Sequence, residues 1–118
     1  MKYIDGFVFP IAKRNLKAYR KMARLGKKTW LKNGALDYQE CIGDDLNAPW
    51  GALFPKMVKL KKGETVAFSF IVFKSRAHRD RVNARVMKDL ENSNMQMDSA
   101  PFDLKRMAYG GFKVIVGK

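Results

Sequence analysis

Apolar side chains recur along this chain with two different periods, and the changes from one to the other divide it into six predicted elements. In the first predicted helix, apolar residues return every three or four positions, which places them on one stripe. Bulky and β-branched residues instead dominate the segments predicted as strands. The expected order is strand, helix, strand, strand, helix, strand, with strands at residues 2–9, 35–42, 64–73 and 112–116 and helices at 12–32 and 75–90.

Turn and cap residues give the expected ends of these elements. Pro10 is expected to end the first strand, because proline has no backbone N–H to donate to a sheet. The pair Asn33-Gly34 is a typical helix C-cap, and Ser75 is a good N-cap for the second helix. The less regular stretch 43–63 is predicted as a long connection with a short strand near residues 54–60.

The predicted order is that of a ferredoxin-like βαββαβ domain, an α+β fold with a four-stranded antiparallel sheet and both helices on one face. Residues 1–118 are expected to form this single domain. The third strand is apolar on both faces from Val66 to Phe73, so the sheet face without helices also needs a cover. A second copy packed sheet to sheet is the expected cover, giving a homodimer with the form of a dimeric α+β barrel. The alternative is a helix or strand from the middle connection.

The cysteine content and the lengths of the apolar runs indicate the expected cellular location. Cys41 is the only cysteine, so an internal disulfide is impossible and a reducing cytoplasm is the expected location. Asp5 interrupts the first apolar stretch too early for a secretion signal. The longest apolar run, 66–73, is far shorter than the roughly 20 residues of a membrane span, so no membrane partner is expected.

A formal net charge of +13 is the most unusual bulk property of the chain. A field this positive attracts phosphate backbones, anionic surfaces and acidic small molecules. The basic residues of the first predicted helix lie opposite its apolar stripe, and the candidate contacts to RNA or DNA there are Lys17, Arg20, Lys21 and Arg24. The simpler interpretation, which we favour at this stage, is a solvated basic surface.

Several isolated residues could carry chemistry. Asp44 and Asp45, with Glu40 upstream, place carboxylates at a strand end, although a turn closing the strand is the more common role. His78, the only histidine, is expected to pack at the edge of the helix stripe rather than act as a base. Cys41 is expected to be an inert core thiol. One histidine and one cysteine do not make a zinc site of the usual spacing, and neither a metal nor a cofactor is expected.

Four blocks of the chain resemble one known family. The most specific is Pro-Phe-Asp-Leu-Lys-Arg-Met-Ala-Tyr-Gly-Gly-Phe at residues 101–112. The other blocks are residues 1–8, residues 40–45, and a run containing Phe68, Ser69, Ser75, Arg79, Asp80, Asn83 and Met87. Together they are similar to the YbaA-like family of uncharacterised proteins, placed in the dimeric α+β barrel superfamily. The resemblance implies a fold and a dimer but no reaction.

The matching blocks contain one mixed set of charged and phenolic side chains, formed by Arg79, Asp80, Asp103, Arg106 and Tyr109. An arginine beside a cavity could hold an anionic group in a two-point grip, with Tyr109 donating a hydrogen bond. The alternative is a structural network that ties the C-terminal segment to the second helix. The pair Gly110-Gly111 is expected to form a tight turn or bulge.

Three functions remain open from the sequence. The first is a small-molecule-binding barrel with no assignable reaction. The second is a cofactor-free enzyme of the monooxygenase or isomerase type, with Asp103, Arg106, Tyr109 or Arg79 acting on an enolisable substrate. The third is nucleic-acid binding through the basic first helix.

Overall fold

Four strands form one antiparallel sheet in the computed structural model, which describes residues 1–93 and 101–118. The strands are β1 (Tyr3–Ala12), β2 (Asp37–Ile42), β3 (Glu64–Phe73) and β4 (Ala108–Lys113). They are ordered β2-β3-β1-β4 across the sheet, and each neighbouring pair is antiparallel. The two longest strands, β1 and β3, therefore occupy the centre.

Two long helices pack against one face of this sheet. They are α1 (Leu16–Lys32) and α3 (Arg76–Asn92), and a one-turn helix, α2 (Phe54–Met57), lies in the middle connection. The expected α+β fold and the βαββαβ order are thereby confirmed. Within the described ranges, no helix has both the length and the apolar character that crossing a membrane requires.

The core lies between the two long helices and the sheet. Odd-numbered residues of β1 and β3 point to the helices because successive side chains of a strand alternate between its faces. One buried cluster joins Val82 and Val86 of α3 to Phe73 of β3, and another joins Tyr19 of α1 to Phe9 of β1. Ser75 caps α3 as expected, since its hydroxyl accepts a hydrogen bond from the His78 backbone N–H at 3.1 Å.

The other face of the sheet, which we call the open face, is also apolar. Even-numbered residues of β1, β3 and β4 lie there, and Phe68 and Phe112 are 43% and 63% exposed in the single chain. A groove of about 580 Å³ runs along this face between Phe70 and Phe112. The middle connection covers one end of it, where the Phe54 ring of α2 lies 6.5 Å from the Phe68 ring. The apolar pattern expected on both faces of β3 is therefore present, but in the single chain only the helix side is fully buried.

Several predictions about the elements are wrong. The chain continues as a strand through Pro10 to Ala12, because β4 begins opposite Val8 and leaves the rest of β1 unpaired on that side, and α1 therefore begins at Leu16 and not at residue 12. The segment near residues 54–60 forms the helix α2 and not a short strand, with Pro55 in its first turn.

The last strand is Ala108–Lys113 and not residues 112–116, so the two glycines lie inside it and form no turn. Gly110 is opposite Gly6 and Gly111 is opposite Asp5. A side chain on Gly111 would overlap the Tyr3 hydroxyl group. Gly111 therefore permits the Tyr3 side chain to lie close to the backbone of β4.

Candidate functional site

A pocket of about 180 Å³ lies between the helix layer and the sheet. Its walls are mainly apolar and include Phe7, Phe9, Met22, Trp30, Ile71 and Leu90. Among the described residues that line it, Glu40 has the one carboxyl group, and we call the cavity the Glu40 pocket. The other polar groups of these residues are uncharged: the hydroxyls of Tyr19, Tyr38 and Ser69 and the indole N–H of Trp30.

Strand β2 places Glu40 in the pocket through simple alternation. Tyr38 and Glu40 are two residues apart and share the helix-facing side of the strand. Glu40 is opposite Ser69 of β3, and Tyr38 is opposite Ile71. Because Ser69 and Ile71 are buried beneath the helices, the paired residues of this edge strand also turn toward the core.

Both oxygens of the Glu40 carboxyl accept hydrogen bonds from tyrosines. The Tyr38 hydroxyl donates to Oε1 at 2.7 Å, and the Tyr19 hydroxyl of α1 donates to Oε2. Burial raises the pKa of Glu40 from 4.5 to about 7, while a hydrogen bond with Ser69 acts in the opposite direction. Burial also raises the pKa of Tyr38 to about 12, so its hydroxyl remains a donor at neutral pH.

Gly26 makes room for this arrangement. A glycine inside a helix costs about 1 kcal/mol relative to alanine, so its presence in the middle of α1 calls for a local reason. A Cβ placed at Gly26 would lie 2.6 Å from the Tyr38 hydroxyl oxygen, which is too close for any real contact. The helix backbone thus approaches Tyr38 closely where its hydroxyl meets Glu40.

A second polar cluster on the helix side surrounds Asp5 of β1. The Asp5 side chain is 1% exposed, and Arg79 of α3 donates to its Oδ1 at 2.9 Å. Asn83 donates to Oδ2 at 3.3 Å and itself accepts a hydrogen bond from the Trp30 indole at 3.0 Å. Burial raises the pKa of Asp5, opposed by the hydrogen bond from Asn83 and by the charge of Arg79. Tyr109 completes this Asp5 cluster by accepting from Arg79 at 2.9 Å.

A third polar cluster lies at the start of β3. Arg106 makes a two-point ion pair with Glu64, at 2.8 Å and 2.7 Å, and its Nε donates to Asp103 at 2.9 Å. The hydrogen bonds from Arg106 lower the pKa of Glu64 to about 2. This cluster joins the C-terminal segment to the first residue of the central strand β3.

The candidate set from the sequence is therefore divided between two places. Arg79, Asp80 and Tyr109 meet at the Asp5 cluster, where Arg79 Nε also donates to Asp80 at 2.8 Å. Asp103 and Arg106 meet at the third cluster, and none of the five lines the Glu40 pocket. The contacts favour the structural alternative. Arg79 ties β4 to α3 as expected, whereas Arg106 ties its segment to β3.

The remaining sequence candidates lie outside the pocket. Asp44 and Asp45 are exposed beyond the end of β2. The backbone N–H of Lys74 donates to Nδ1 of His78 at 3.0 Å, and the His78 ring lies 6.1 Å from the Phe73 ring. In residues 1–93 and 101–118, no group of three or more histidine, cysteine, aspartate or glutamate side chains could hold a metal ion.

The prediction for Cys41 is wrong for the single chain. The thiol is exposed, because Cys41 lies on the edge strand β2 and faces away from the helices, opposite Phe68. The candidate nucleic-acid contacts on α1 are all exposed, as the helical pattern requires; they are Lys17, Arg20, Lys21 and Arg24.

Sequence reasoning missed two carboxyls that the fold places under the helices, Asp5 buried and Glu40 half-buried. From the sequence, Asp5 is only an interruption of an apolar stretch and Glu40 only an acid near a strand end. A useful signal was the spacing of Tyr38 and Glu40, which puts a phenol and an acid on one face of a strand. A second was Gly26 on the apolar stripe of the helix, at a position where a larger side chain is usual.

Comparison with known proteins gives a family and no reaction. Residues 2–104 match the family described as "Protein of unknown function (DUF1428)". The chain is 38% identical over 116 residues to "Uncharacterized protein YbaA" of Escherichia coli K12, covering 98% of each chain, and the same figures hold for that of Shigella flexneri. The solved "De novo designed protein Foldit4" aligns with 97% of this chain and 99% of its own at a TM-score of 0.46 and 6% identity, a likeness on which no inference rests. The expected resemblance to the YbaA-like proteins is confirmed, and the chain belongs to the DUF1428 family.

Proposed function

We propose that this protein is a homodimeric α+β barrel that binds a small, uncharged and mostly apolar molecule in the Glu40 pocket. The observation that carries the proposal is the pocket itself, an apolar cavity in which the polar groups are gathered around Glu40. Binding sites for small molecules usually combine apolar walls with a few placed polar side chains. An engineered apolar cavity of about 150 Å³ accepts benzene, so a pocket of about 180 Å³ suits a ligand the size of one ring.

The charges around the pocket favour an uncharged ligand. The chain as a whole is strongly basic, but the side chains that line this cavity are apolar or neutral apart from Glu40. An anionic ligand would meet the Glu40 carboxyl without a cation to compensate, which is costly in a buried site. The ligand therefore carries at most a carbonyl or hydroxyl group opposite Glu40 and the tyrosines.

Nuclear magnetic resonance can test binding with phenol, toluene and cyclohexanone as probes. We expect saturable shifts of the Trp30 indole N–H and the Ser69 amide, both in the pocket wall. Ala23→Leu fills the pocket from α1, and Ala18→Leu places the same side chain on an exposed position of the same helix. The first substitution should abolish the shifts and the second should preserve them. Equal shifts in both variants, or none with any probe in the wild-type protein, would contradict the proposal.

The homodimer rests on the open face. Usual strand spacing and rise give this four-stranded face an area on the order of 600 Å². That is most of the roughly 800 Å² that each partner buries in a standard interface. The exposed Phe112 and the groove beside it are apolar, and a second copy offers an equally apolar surface for them.

Sedimentation velocity measures this association directly. Phe112→Lys places a charge on the open face beside the groove, whereas Ile115→Lys places one beyond β4 at a position that is also largely exposed. We expect the wild-type protein and Ile115→Lys to sediment as dimers at micromolar concentration and Phe112→Lys as a folded monomer. A wild-type monomer under these conditions would refute the dimer and leave the pocket to be tested separately.

Nucleic-acid binding through α1 is the second candidate function. Among the described residues, the one ion pair of this helix joins Lys32 to Asp89 at 3.9 Å, so its basic face is largely uncompensated. RNA or DNA affinity should fall steeply as salt rises, and replacing Lys17, Arg20, Lys21 and Arg24 by alanine should flatten that slope. Binding that responds to neither change would exclude this function.

A further inference from the structure

The Glu40 pocket combines three features of a proton-transfer site. It holds a carboxyl in an apolar cavity, two phenol hydroxyls within hydrogen-bond reach of that carboxyl, and space beside them for one small ring. A hydroxyl nucleophile is usually activated by a histidine, but Ser69, the one serine among the described lining residues, lies beside the Glu40 carboxyl. Proton transfer is the chemistry that these groups can perform without a further reactant.

We propose that Glu40 moves a proton between two carbon atoms of a small enolisable carbonyl compound, with Tyr38 donating a hydrogen bond to the carbonyl oxygen. The inference rests on the proposed function, since the substrate is the ligand of the Glu40 pocket. The proposed substrate class is an uncharged ketone or lactone the size of one ring. Its carbon–carbon double bond is separated from the carbonyl group by one saturated carbon.

The reaction is a balanced isomerisation. Glu40 takes the proton from the carbon next to the carbonyl, so that the C–H bond breaks, an O–H bond forms on Glu40 and the electron pair moves into the carbonyl oxygen as an enolate. Glu40 then returns the proton to the far carbon of the double bond, and the carbonyl group is restored. The product is the conjugated isomer, and no oxidant or reductant takes part.

The tyrosines have different tasks in this sequence. Tyr19 is buried, with Phe9 and Phe102 rings at 5.7 Å and 6.0 Å, and it holds Oε2 of Glu40 in place. Tyr38 donates to Oε1 at rest. When Glu40 becomes neutral, the enolate is the more negative acceptor, and the Tyr38 hydroxyl turns to it. A donor that follows developing charge stabilises the transition state more than the ground state.

The environment of Glu40 suits such a role. A general base works best when its pKa is near the operating pH, and burial brings the pKa of Glu40 to about 7. Tyr38 remains protonated through the same range, because its pKa is raised to about 12. Among the described residues that line the pocket, the titratable groups beside Glu40 are Tyr19 of α1 and Tyr38 of its own strand β2, and both donate a hydroxyl hydrogen bond to it.

The test uses 3-cyclohexenone as substrate and the wild-type protein in heavy water. Proton NMR follows both conversion to 2-cyclohexenone and deuterium incorporation at carbon. We expect Glu40→Gln to lower the rate at least 100-fold and Tyr38→Phe to lower it about 10- to 100-fold. Asp44→Asn, which removes an exposed carboxylate just beyond β2, should leave the rate unchanged. The wild-type rate should rise with pH and level off above about 7.

Binding of the saturated analogue cyclohexanone separates the two proposals. If cyclohexanone binds in a way that Ala23→Leu abolishes, but neither isomerisation nor exchange exceeds that of buffer, ligand binding stands and proton transfer is refuted. Turnover that Glu40→Gln and Tyr38→Phe leave unchanged also refutes it. Thermal unfolding of each variant shows whether a lost rate reflects lost structure, and Tyr38→Phe supplies a second independent test if Glu40→Gln does not fold.

Discussion

Two carboxyl groups, those of Asp5 and Glu40, lie between the helices and the sheet, and their hydrogen-bond partners differ. Asp5 faces a guanidinium and an amide, from Arg79 and Asn83. Among the described residues, the hydrogen-bond partners of the Glu40 carboxyl are all hydroxyl groups, those of Tyr19, Tyr38 and Ser69. Trp30 lies between the two sites, since its ring lines the Glu40 pocket while its N–H bonds to Asn83.

The nature of the partner decides what each carboxyl can do. A cation beside Asp5 favours the ionised form and fixes the side chain in an ion pair, so this site holds β1, β4 and α3 together. Uncharged hydroxyl groups beside Glu40 favour its ionised form less strongly than a cation would, so the free-energy difference between the protonated and ionised carboxyl is smaller. This site can therefore exchange a proton. Burial of a carboxyl alone therefore does not indicate a functional site. The charge of its hydrogen-bond partners has to be considered as well.

The largest expected effect comes from removing the cation at Asp5. Arg79→Ala leaves a buried carboxyl without its opposite charge and should lower the free energy of unfolding by about 3 kcal/mol. Urea unfolding measures the change. Arg81→Ala, on an exposed position of the same helix, should change it by less than about 0.5 kcal/mol. Equal losses in the two variants would show that the Asp5 pair is not structural.

The next effect concerns the proton on Glu40. Because the folded-state pKa of about 7 exceeds the ordinary 4.5, the folded state holds the proton more tightly than the unfolded chain. The resulting stability is complete below pH 4.5 and is lost as the pH rises toward 7. Allowing for partial solvent screening, the loss should be about 1 to 2 kcal/mol.

Urea unfolding at pH 5 and pH 8 measures this loss. It should be absent in Glu40→Gln and unchanged in Glu91→Gln, which alters an exposed acid near the end of α3. A Glu40→Gln variant with the wild-type pH dependence would show that Glu40 titrates normally.

A smaller effect tests the contact between α1 and Tyr38. Gly26→Ala in an ordinary helix stabilises a protein by about 1 kcal/mol, but here the new Cβ meets the Tyr38 hydroxyl. The single variant should therefore gain nothing or lose stability. In a Tyr38→Phe background the same substitution should recover the gain, giving a coupling of about 1 kcal/mol in a double-mutant cycle. Additive effects would mean that the hydroxyl can move aside freely.

The smallest effect is expected at the third cluster. The side chains of Arg106, Glu64 and Asp103 are 15%, 13% and 40% exposed, so water and salt screen these charges more than they screen Asp5, which is 1% exposed. Arg106→Gln should lower the urea midpoint less than Arg79→Ala does, and the difference from wild type should shrink as salt is added. A loss as large as that of Arg79→Ala, insensitive to salt, would place this cluster with the buried pair.

The sequence predicted the fold because its main elements are long and strongly patterned. The stripe on α1, the Ser75 cap and the apolar β3 each point to one local structure, and the order of the elements then leaves one simple topology. Two of the errors, at Pro10 and at Gly110-Gly111, lie where the outcome depends on a neighbouring strand. Local propensity cannot show that Pro10 has an unpaired side or that Gly111 lies beside Tyr3.

The site was harder to predict than the fold. Glu40 and Tyr38 are close in the sequence, but Tyr19 and Ser69 reach them only through the packing of α1 and the register of β2 on β3. Arg79 and Arg106 are candidates from the sequence because of their charge, yet their contacts in the structure are mostly ion pairs that join elements of the fold. In a chain with 24 lysine and arginine residues, basic side chains carry little information about where a site lies.

Strand β1 carries residues of opposite character on alternate positions, and this makes it intolerant of a change in length. Asp5, Phe7 and Phe9 face the helices, while Ile4, Gly6 and Val8 face the groove on the other side. Deleting one residue near the end of β1, between Phe9 and α1, would exchange the two sets in the part of the strand that precedes the deletion. The aspartate would then lie among the phenylalanines of the groove, and Arg79 would lose its carboxylate partner.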